Sequence, residues 1–118
     1  MGDLAGSIYI ITNPVWPDWT KVGRATDLES RLSSYQTGSP FRDYELRVSW
    51  DVFDAPAAEA AAFEVCDEVF GRWSRRNEWI KTDWKVVTLT IRGTVEGFAD
   101  DGAEISEGDA ENDAAASN

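Results

Sequence analysis

The sequence predicts an α+β domain with a three-stranded antiparallel sheet flanked by helices. Two short β-branched runs stand close together near the start of the chain, and NPVWPDW separates them with two prolines, as a hairpin connection would. A third run, YELRVSWDVFD, alternates apolar and polar residues. Apolar residues at helical spacing follow each of the later two runs. We therefore place strands at residues 7 to 12, 19 to 23 and 44 to 53.

The second strand leads directly into a helix. It ends at Gly23, and Thr26 with Glu29 then matches a capping box, in which two side chains satisfy each other's backbone N–H groups. Arg31 and Tyr35 lie four residues apart on this helix, so they project from adjacent turns of one face. A basic and an aromatic side chain are therefore expected together beside the strand end. The apolar stripe of this helix is Leu28, Leu32 and Tyr35.

Two more predicted helices follow the third strand. Asp54 caps the first, Pro56 fits its first turn, where a missing N–H costs little, and Gly71 ends it. Thr82 is the predicted cap of the second. Residues 87 to 91 also alternate like a strand, but the longer helical spacing favours a helix.

One acidic residue stands apart from the others on the helix after Asp54. Glu59 lies four residues before Phe63 and therefore shares its apolar stripe. A carboxylate that faces a core is costly unless it is paired, hydrogen-bonded or bound to a metal. Periodicity alone favours a boundary residue that reaches solvent near the helix start, where the helix dipole favours an acid. Both interpretations remain open at this point.

Composition limits the classes of protein. With 118 residues the chain suffices for one domain with one core. The single Cys66 cannot form an internal disulfide, and the sequence shows neither a run long enough to span a bilayer nor a signal-peptide pattern. We expect a cytoplasmic protein that does not bind membranes. The sequence does not give its oligomeric state.

The net charge of −11 is unevenly distributed. Eight acids and no basic residue follow Val95, whereas the first 95 residues hold fourteen acids and eleven basic residues, a net −3. We expect a domain over residues 1–98 and an acidic, disordered tail over residues 99–118. The basic cluster of Arg72, Arg75 and Arg76 fits a solvated loop and a phosphate-contacting patch equally well.

The elements from Gly6 to Lys81 resemble the GIY-YIG nucleases, in particular their small phage-type branch. That signature is a Gly-Ile-Tyr-like and a Tyr-Ile-Gly-like triplet on two strands, then a helix with an arginine and, four residues later, an aromatic residue or histidine. Ser7-Ile8-Tyr9 and Lys21-Val22-Gly23 stand at the triplets, and Arg31 and Tyr35 at the helix positions. Lysine in the second triplet is frequent in the phage branch. The remaining matches are Glu59, Asn77 and the Gly38-Ser39-Pro40-Phe41 turn.

The resemblance, together with the chemistry of the side chains, implies a role for each residue. Glu59 would hold one Mg²⁺ or Mn²⁺ ion, which reverses the preference stated above for a boundary residue. Arg31 would present its planar donors to the phosphate. Tyr9 would accept a proton or orient water, with Arg24 or Lys21 lowering its pKa. The supporting residues are Tyr35, at the phosphate, and Asn77, which would orient Glu59 or the backbone near it. Tyr9 and Tyr35 also fit as half-buried packing residues.

Several other chemistries are excluded by what the chain lacks. There is no histidine, the commonest general base and transition-metal ligand. Cys66 lies in an apolar stripe without a histidine partner, and there is no glycine-rich phosphate loop. Hydrolysis of a phosphodiester with a divalent ion on a carboxylate remains feasible. Trp16 and Trp19 flank a loop near the proposed site and fit either the rim of the core or stacking on a base or sugar.

We therefore expect a metal-dependent DNA endonuclease, acting in the host cytoplasm if it is encoded by a phage. The alternative is a catalytically inactive module of the same fold that binds nucleic acid or protein, which the acidic tail and Lys21 both favour. A third hypothesis reconciles the charge with a nuclease: the polyanionic tail occupies the site and inhibits it.

Overall fold

A computed structural model describes residues 4–99 of the chain. The α+β class is confirmed. The strands are β1 (Gly6–Thr12), β2 (Thr20–Ala25), β3 (Glu45–Val52), β4 (Arg75–Arg76) and β5 (Trp79–Ile80), and the helices are α1 (Leu28–Thr37), α2 (Ala55–Phe70) and α3 (Trp84–Glu96). Apart from Ala99, the predicted tail lies outside the described residues.

The sheet has five strands in the order β3-β1-β2-β5-β4, all antiparallel. The prediction of three strands was therefore wrong. β4 and β5 form a hairpin of two-residue strands that extends the sheet beyond β2. Two residues are too short to show an alternating pattern, so this hairpin carries no strand signal in the sequence.

The sheet separates a large core from a smaller cluster. Successive residues of a strand point to opposite faces, and Ile8 and Ile10 of β1 pack with α2 and α3. Tyr9 and Ile11 of the same strand face the other way, toward α1 and Tyr44. The predicted core helices thus lie on one face, and the helix with Arg31 lies on the other.

The helix boundaries differ from the predictions at two caps. α1 is capped by Asp27 instead of Thr26, since the Ser30 amide donates to Asp27 Oδ1 at 3.1 Å. α3 is capped by Asp83, because the hydroxyl of Thr82 donates to the Lys81 carbonyl instead. The longer stripe of α3 prevails over its local strand-like alternation.

The helices differ in how deeply they are packed. α2 begins after the predicted cap, Asp54, and ends at Gly71 with φ of 92°. It buries four residues in the core, whereas α1 buries none. Within residues 4–99 there is no helix whose length and hydropathy suit a bilayer span.

Candidate active site

The candidate site lies where β2 extends past β5. On β2, only Thr20 and Lys21 pair with β5, and the Val22 amide donates to the Glu78 carbonyl at 3.0 Å. The edge of β2 from Gly23 to Ala25 therefore faces no strand of the described chain. Side chains from β1, β2, α1, α2 and the β4–β5 hairpin meet around this edge: Tyr9, Lys21, Arg24, Arg31, Tyr35, Glu59 and Glu78.

Tyr9 is fully buried and lies at the centre of the site. Its hydroxyl is 2.9 Å from the hydroxyl of Tyr35, and the two rings meet edge to face at 6.2 Å. Gly23 is its direct partner on β2. A Cβ atom on residue 23 would stand 2.5 Å from the Tyr9 hydroxyl. The glycine of the second triplet thus makes room for the tyrosine of the first.

The environment of Tyr9 opposes its ionisation. Burial raises the pKa of its phenol far above the ordinary value, and the hydrogen bond with Tyr35 adds to the rise. Of the two predicted cations, Lys21 lowers this pKa, and Arg31 does so in place of Arg24, but burial outweighs both. Tyr9 is therefore protonated at neutral pH, which fits orientation of a water molecule better than acceptance of its proton.

Lys21 forms a salt bridge with Glu78, an acid that no sequence pattern singles out. Its ammonium forms a salt bridge with Glu78 Oε1, and it lies 5.9 Å from the centre of the Tyr35 ring. Only 10% of the Lys21 side chain is exposed. An acid beside a predicted site asparagine looks like a solvated loop residue in the sequence. The signal that reveals Glu78 is the long-range pairing of β5 with β2.

Asn77 shapes the hairpin turn. Its φ is 56°, a left-handed conformation that asparagine tolerates better than most residues. Its backbone carbonyl accepts from Arg75 Nη1 at 2.7 Å. No hydrogen bond from its side chain to Glu59 is seen among residues 4–99. The predicted orienting role of Asn77 therefore has no contact in support of it.

Glu59 is a largely buried carboxylate with one unpartnered oxygen. Its side chain is 12% exposed, and Oε1 lies 3.7 Å from Nη1 of Arg24. Oε2 is buried and has no hydrogen-bond partner in the described structure. Burial raises the pKa of Glu59, Glu78 raises it further, and Arg24, Lys21 and Arg31 lower it. These properties disfavour the interpretation of Glu59 as a boundary residue that reaches solvent.

A hard divalent cation suits this unpartnered oxygen. Mg²⁺ is commonly held by one or two carboxylates, with water and substrate phosphate completing its ligands. Within the part of the chain that the structure describes, no three His, Cys, Asp or Glu side chains are grouped closely enough to hold a metal ion. The residues therefore fit an ion bound through Glu59 and completed by water and phosphate, and they do not fit a closed protein cage.

Arg31 and Arg24 form the cationic rim of the site. Both side chains are exposed, and Arg31 Nη1 donates to the Arg24 carbonyl at 3.3 Å. This long hydrogen bond uses one of the five N–H donors of the Arg31 guanidinium, and the others can bind another group. The rim is thus able to contact a negatively charged group that approaches Glu59.

A second feature adjoins the site, an open cleft of about 350 Å³. We call it the aromatic cleft. It is lined by Trp16, Trp19, Tyr44, Arg76 and Trp79. Trp16 is 46% exposed, and its ring centroid lies 5.6 Å from that of Trp79 at an interplanar angle of 64°. The structure thus brings Trp16 and Trp19 together on one surface.

The three arginines before Asn77 do not form one patch. Arg75 donates to both carboxylate oxygens of Asp67 at 2.8 Å and lies 4.6 Å from the centre of the Phe63 ring. Arg72 is exposed, with its Nε 3.7 Å from Asp67, and Arg76 lies on the other side at the aromatic cleft. Adjacent strand residues point to opposite faces, so Arg75 braces α2 while Arg76 faces the cleft.

Comparison with known proteins gives one match. Residues 6–95 fit the family described as the T5orf172 domain. No curated protein and no solved structure matches the chain.

Proposed function

Since the chain belongs to the T5orf172 domain family, a phage-associated group with a suggested nuclease-like role, we propose that it is a metal-dependent DNA endonuclease of the GIY-YIG kind. It would hydrolyse phosphodiester bonds with DNA as its partner, in the cytoplasm, which is that of the host if a phage encodes it. The observation that carries this proposal is the unpartnered, buried Oε2 of Glu59 beside a cationic rim. A nuclease site needs both a ligand for a hard cation and donors for a phosphate.

Arg31 binds the scissile phosphate. Its planar donors match two phosphate oxygens, and their charge counts most as negative charge develops on the phosphorus. Arg24 lies 3.7 Å from Glu59 and keeps that carboxylate closer to its ionised form. Arg31 thus interacts with the substrate, and Arg24 interacts with the carboxylate of Glu59.

Tyr9 and Tyr35 orient the attacking water. Their hydroxyls are mutually hydrogen-bonded at 2.9 Å, so one of the pair keeps a lone pair or proton for a third partner. The Tyr9 pKa keeps its phenol protonated, which makes the pair an orienting device. Glu59 would hold Mg²⁺ or Mn²⁺, and such an ion stabilises phosphate charge and makes water more acidic when it is bound. This reduces the need for a strong protein base.

A non-catalytic binding module is the second candidate. The raised pKa of Glu59 favours it, since this carboxyl group resists the ionisation that a metal ligand needs. Such a module would bind nucleic acid through the same cationic rim but leave the phosphodiester intact.

Plasmid nicking with Mg²⁺ or Mn²⁺, beside a chelator control, separates the two candidates. We expect wild-type protein to nick DNA and Glu59→Gln to lose roughly a hundredfold or more in rate, because the amide keeps the shape but loses the charge. Glu64→Gln is the matched control, an exposed acid on the same helix. It should cleave normally.

The thermal stability of Glu59→Gln should match or exceed that of wild type, because the change removes a buried carboxylate with an unpartnered oxygen. Wild-type protein that nicks with neither metal would reject the endonuclease and leave the binding module. Undiminished cleavage by Glu59→Gln would reject the role of Glu59.

A further inference from the structure

We propose that the aromatic cleft receives one unpaired nucleobase, so that the protein selects single-stranded or locally opened DNA over regular duplex. This inference rests on the proposed function and names the substrate class of the same site. Stacking of bases on aromatic side chains is tolerant of sequence, because every base has a π-face. A base inside a duplex has both faces covered by its neighbours, so a stacking cleft selects bases that have left the stack.

The aromatic cleft shares one face of the sheet with the α1 side of the candidate site, where Tyr9, Lys21 and Tyr35 lie. Trp79 pairs directly with Lys21 on β2 and with Arg76 on β4. Directly paired residues of antiparallel strands project to the same face. Lys21 in turn lies over the ring of Tyr35. A strand bound across this face would therefore meet the aromatic cleft and the α1 side of the site in succession.

Tyr44 makes the two features continuous. It lines the aromatic cleft, and its ring centroid lies 5.0 Å from that of Tyr35. Tyr35 is hydrogen-bonded to Tyr9 at the centre of the site. This row of aromatic rings therefore connects the cleft to the centre of the site. A phosphate at Arg31 and the base of a nearby nucleotide can thus be bound together.

The arrangement of the cleft suits a flat ring. Its volume of about 350 Å³ lies at the lower end of the usual range for small-molecule sites. Trp16 and Trp79 meet at 64° and are not stacked on each other, so they form two walls. Trp16 belongs to a loop with its own hydrogen bonds, from the Trp16 amide to the Asn13 carbonyl at 2.9 Å and from the Trp19 amide to the Trp16 carbonyl at 3.1 Å. The loop therefore holds Trp16 at the surface without burying it.

Arg76 supplies the matching charge. Its side chain is exposed at the aromatic cleft and forms no salt bridge within residues 4–99. The neighbouring Arg75 is engaged by Asp67, so Arg76 is the cation of this pair that can contact a phosphate next to the stacked base. An apolar cleft with one available guanidinium suits a nucleotide better than an uncharged peptide.

The test measures binding of the full chain to oligonucleotides by fluorescence anisotropy, in chelator so that no cleavage occurs. The ligands are a single strand, the duplex of the same sequence, and a strand of equal length made of abasic nucleotides. We expect the single strand to bind about tenfold tighter than the duplex, and the abasic strand to lose that advantage, since one stacked base is worth about 1–3 kcal/mol.

Trp16→Ala should remove the preference for the single strand and leave duplex binding unchanged. Trp73→Ala is the matched control, because Trp73 is 86% exposed and does not line the cleft. It should bind like wild type. An unaltered preference in Trp16→Ala, or equal binding of the abasic and normal strands, would overturn the inference.

These outcomes are independent of the nuclease activity. If wild-type protein cleaves DNA and Trp16→Ala keeps the preference for the single strand, only the proposed role of the aromatic cleft is rejected. A base preference in a protein that nicks no DNA rejects the endonuclease alone.

Discussion

The hydroxyl of Tyr9 occupies the space that a side chain on Gly23 would need. The two residues are direct partners across β1 and β2, and the ideal Cβ position of residue 23 is 2.5 Å from the Tyr9 hydroxyl and 2.6 Å from the carbon that bears it. The φ of Gly23 is not in the left-handed region, so this requirement for glycine comes from space alone. The tyrosine of one triplet and the glycine of the other are therefore a single packing unit.

Gly23→Ala should displace the Tyr9 ring and break its hydrogen bond with Tyr35. We expect a loss of about 1–3 kcal/mol in the free energy of unfolding, as for other overpacked sites, together with a fall in cleavage rate. Gly93→Ala is the control, because a Cβ on this α3 residue would meet open space. It should gain roughly 0.5–1 kcal/mol from helix propensity. Urea denaturation measures both, and equal stability of the two variants would contradict the packing argument.

Glu78→Gln should shift the acid limb of the cleavage rate to lower pH. The proposed ion binds the ionised form of Glu59, whose pKa is raised by burial and then by Glu78. The apparent pKa of the acid limb in the wild-type pH–rate profile should therefore lie above the usual pKa of glutamate. Removal of the negative neighbour lowers the pKa of Glu59, and release of Lys21 from its salt bridge acts in the same direction.

Single-turnover rates across pH at one Mg²⁺ concentration below saturation, where the ion does not itself displace the Glu59 proton, measure this shift. Glu64→Gln should leave the limb in place. If the acid limb of Glu78→Gln keeps the wild-type position or moves to higher pH, ionisation of Glu59 does not determine it.

The pH dependence of protein stability is an independent measurement of the same pKa shift. Because the pKa of Glu59 is higher in the folded than in the unfolded protein, its contribution to stability should fall as pH rises between those two values.

Arg31→Lys should reduce single-turnover cleavage on the order of a hundredfold while DNA binding weakens far less. A planar, bidentate contact to the phosphate strengthens in the transition state, and the point charge of lysine reproduces it poorly. Arg92→Lys, an exposed change on α3, is the control and should alter neither quantity. A parallel fall in rate and affinity for Arg31→Lys would mean that Arg31 only holds DNA.

The sequence was most informative where a pattern is long or a cap is chemically distinct. The eight residues of β3 and the sixteen of α2 were placed within one or two residues, because alternation and helical spacing accumulate over such lengths. The capping residue of α1 was harder to predict, since Thr26 and Asp27 are adjacent and both side chains accept hydrogen bonds. The carboxylate of Asp27 caps the helix in the structure.

The candidate site was predictable only in part, because two of its components depend on long-range pairing. Glu78 reaches Lys21 through the register of β5 against β2, and no local pattern carries that register. The same register places Trp79 at the aromatic cleft. Arg75 and Arg76 are neighbours in the sequence, but the pleat of β4 directs their side chains to opposite faces of the sheet.

The shallow packing of α1 gives the site two halves of unequal rigidity. α1 carries Arg31 and Tyr35 without burying any residue, while Glu59 stands on α2, which is anchored in the core. Segments with little buried apolar surface open at a smaller free-energy cost than global unfolding. Amide hydrogens of α1 should therefore exchange with solvent sooner than those of α2. In the proposed complex with DNA, local opening of α1 would therefore move Arg31 and Tyr35, while Glu59 would keep its position on α2.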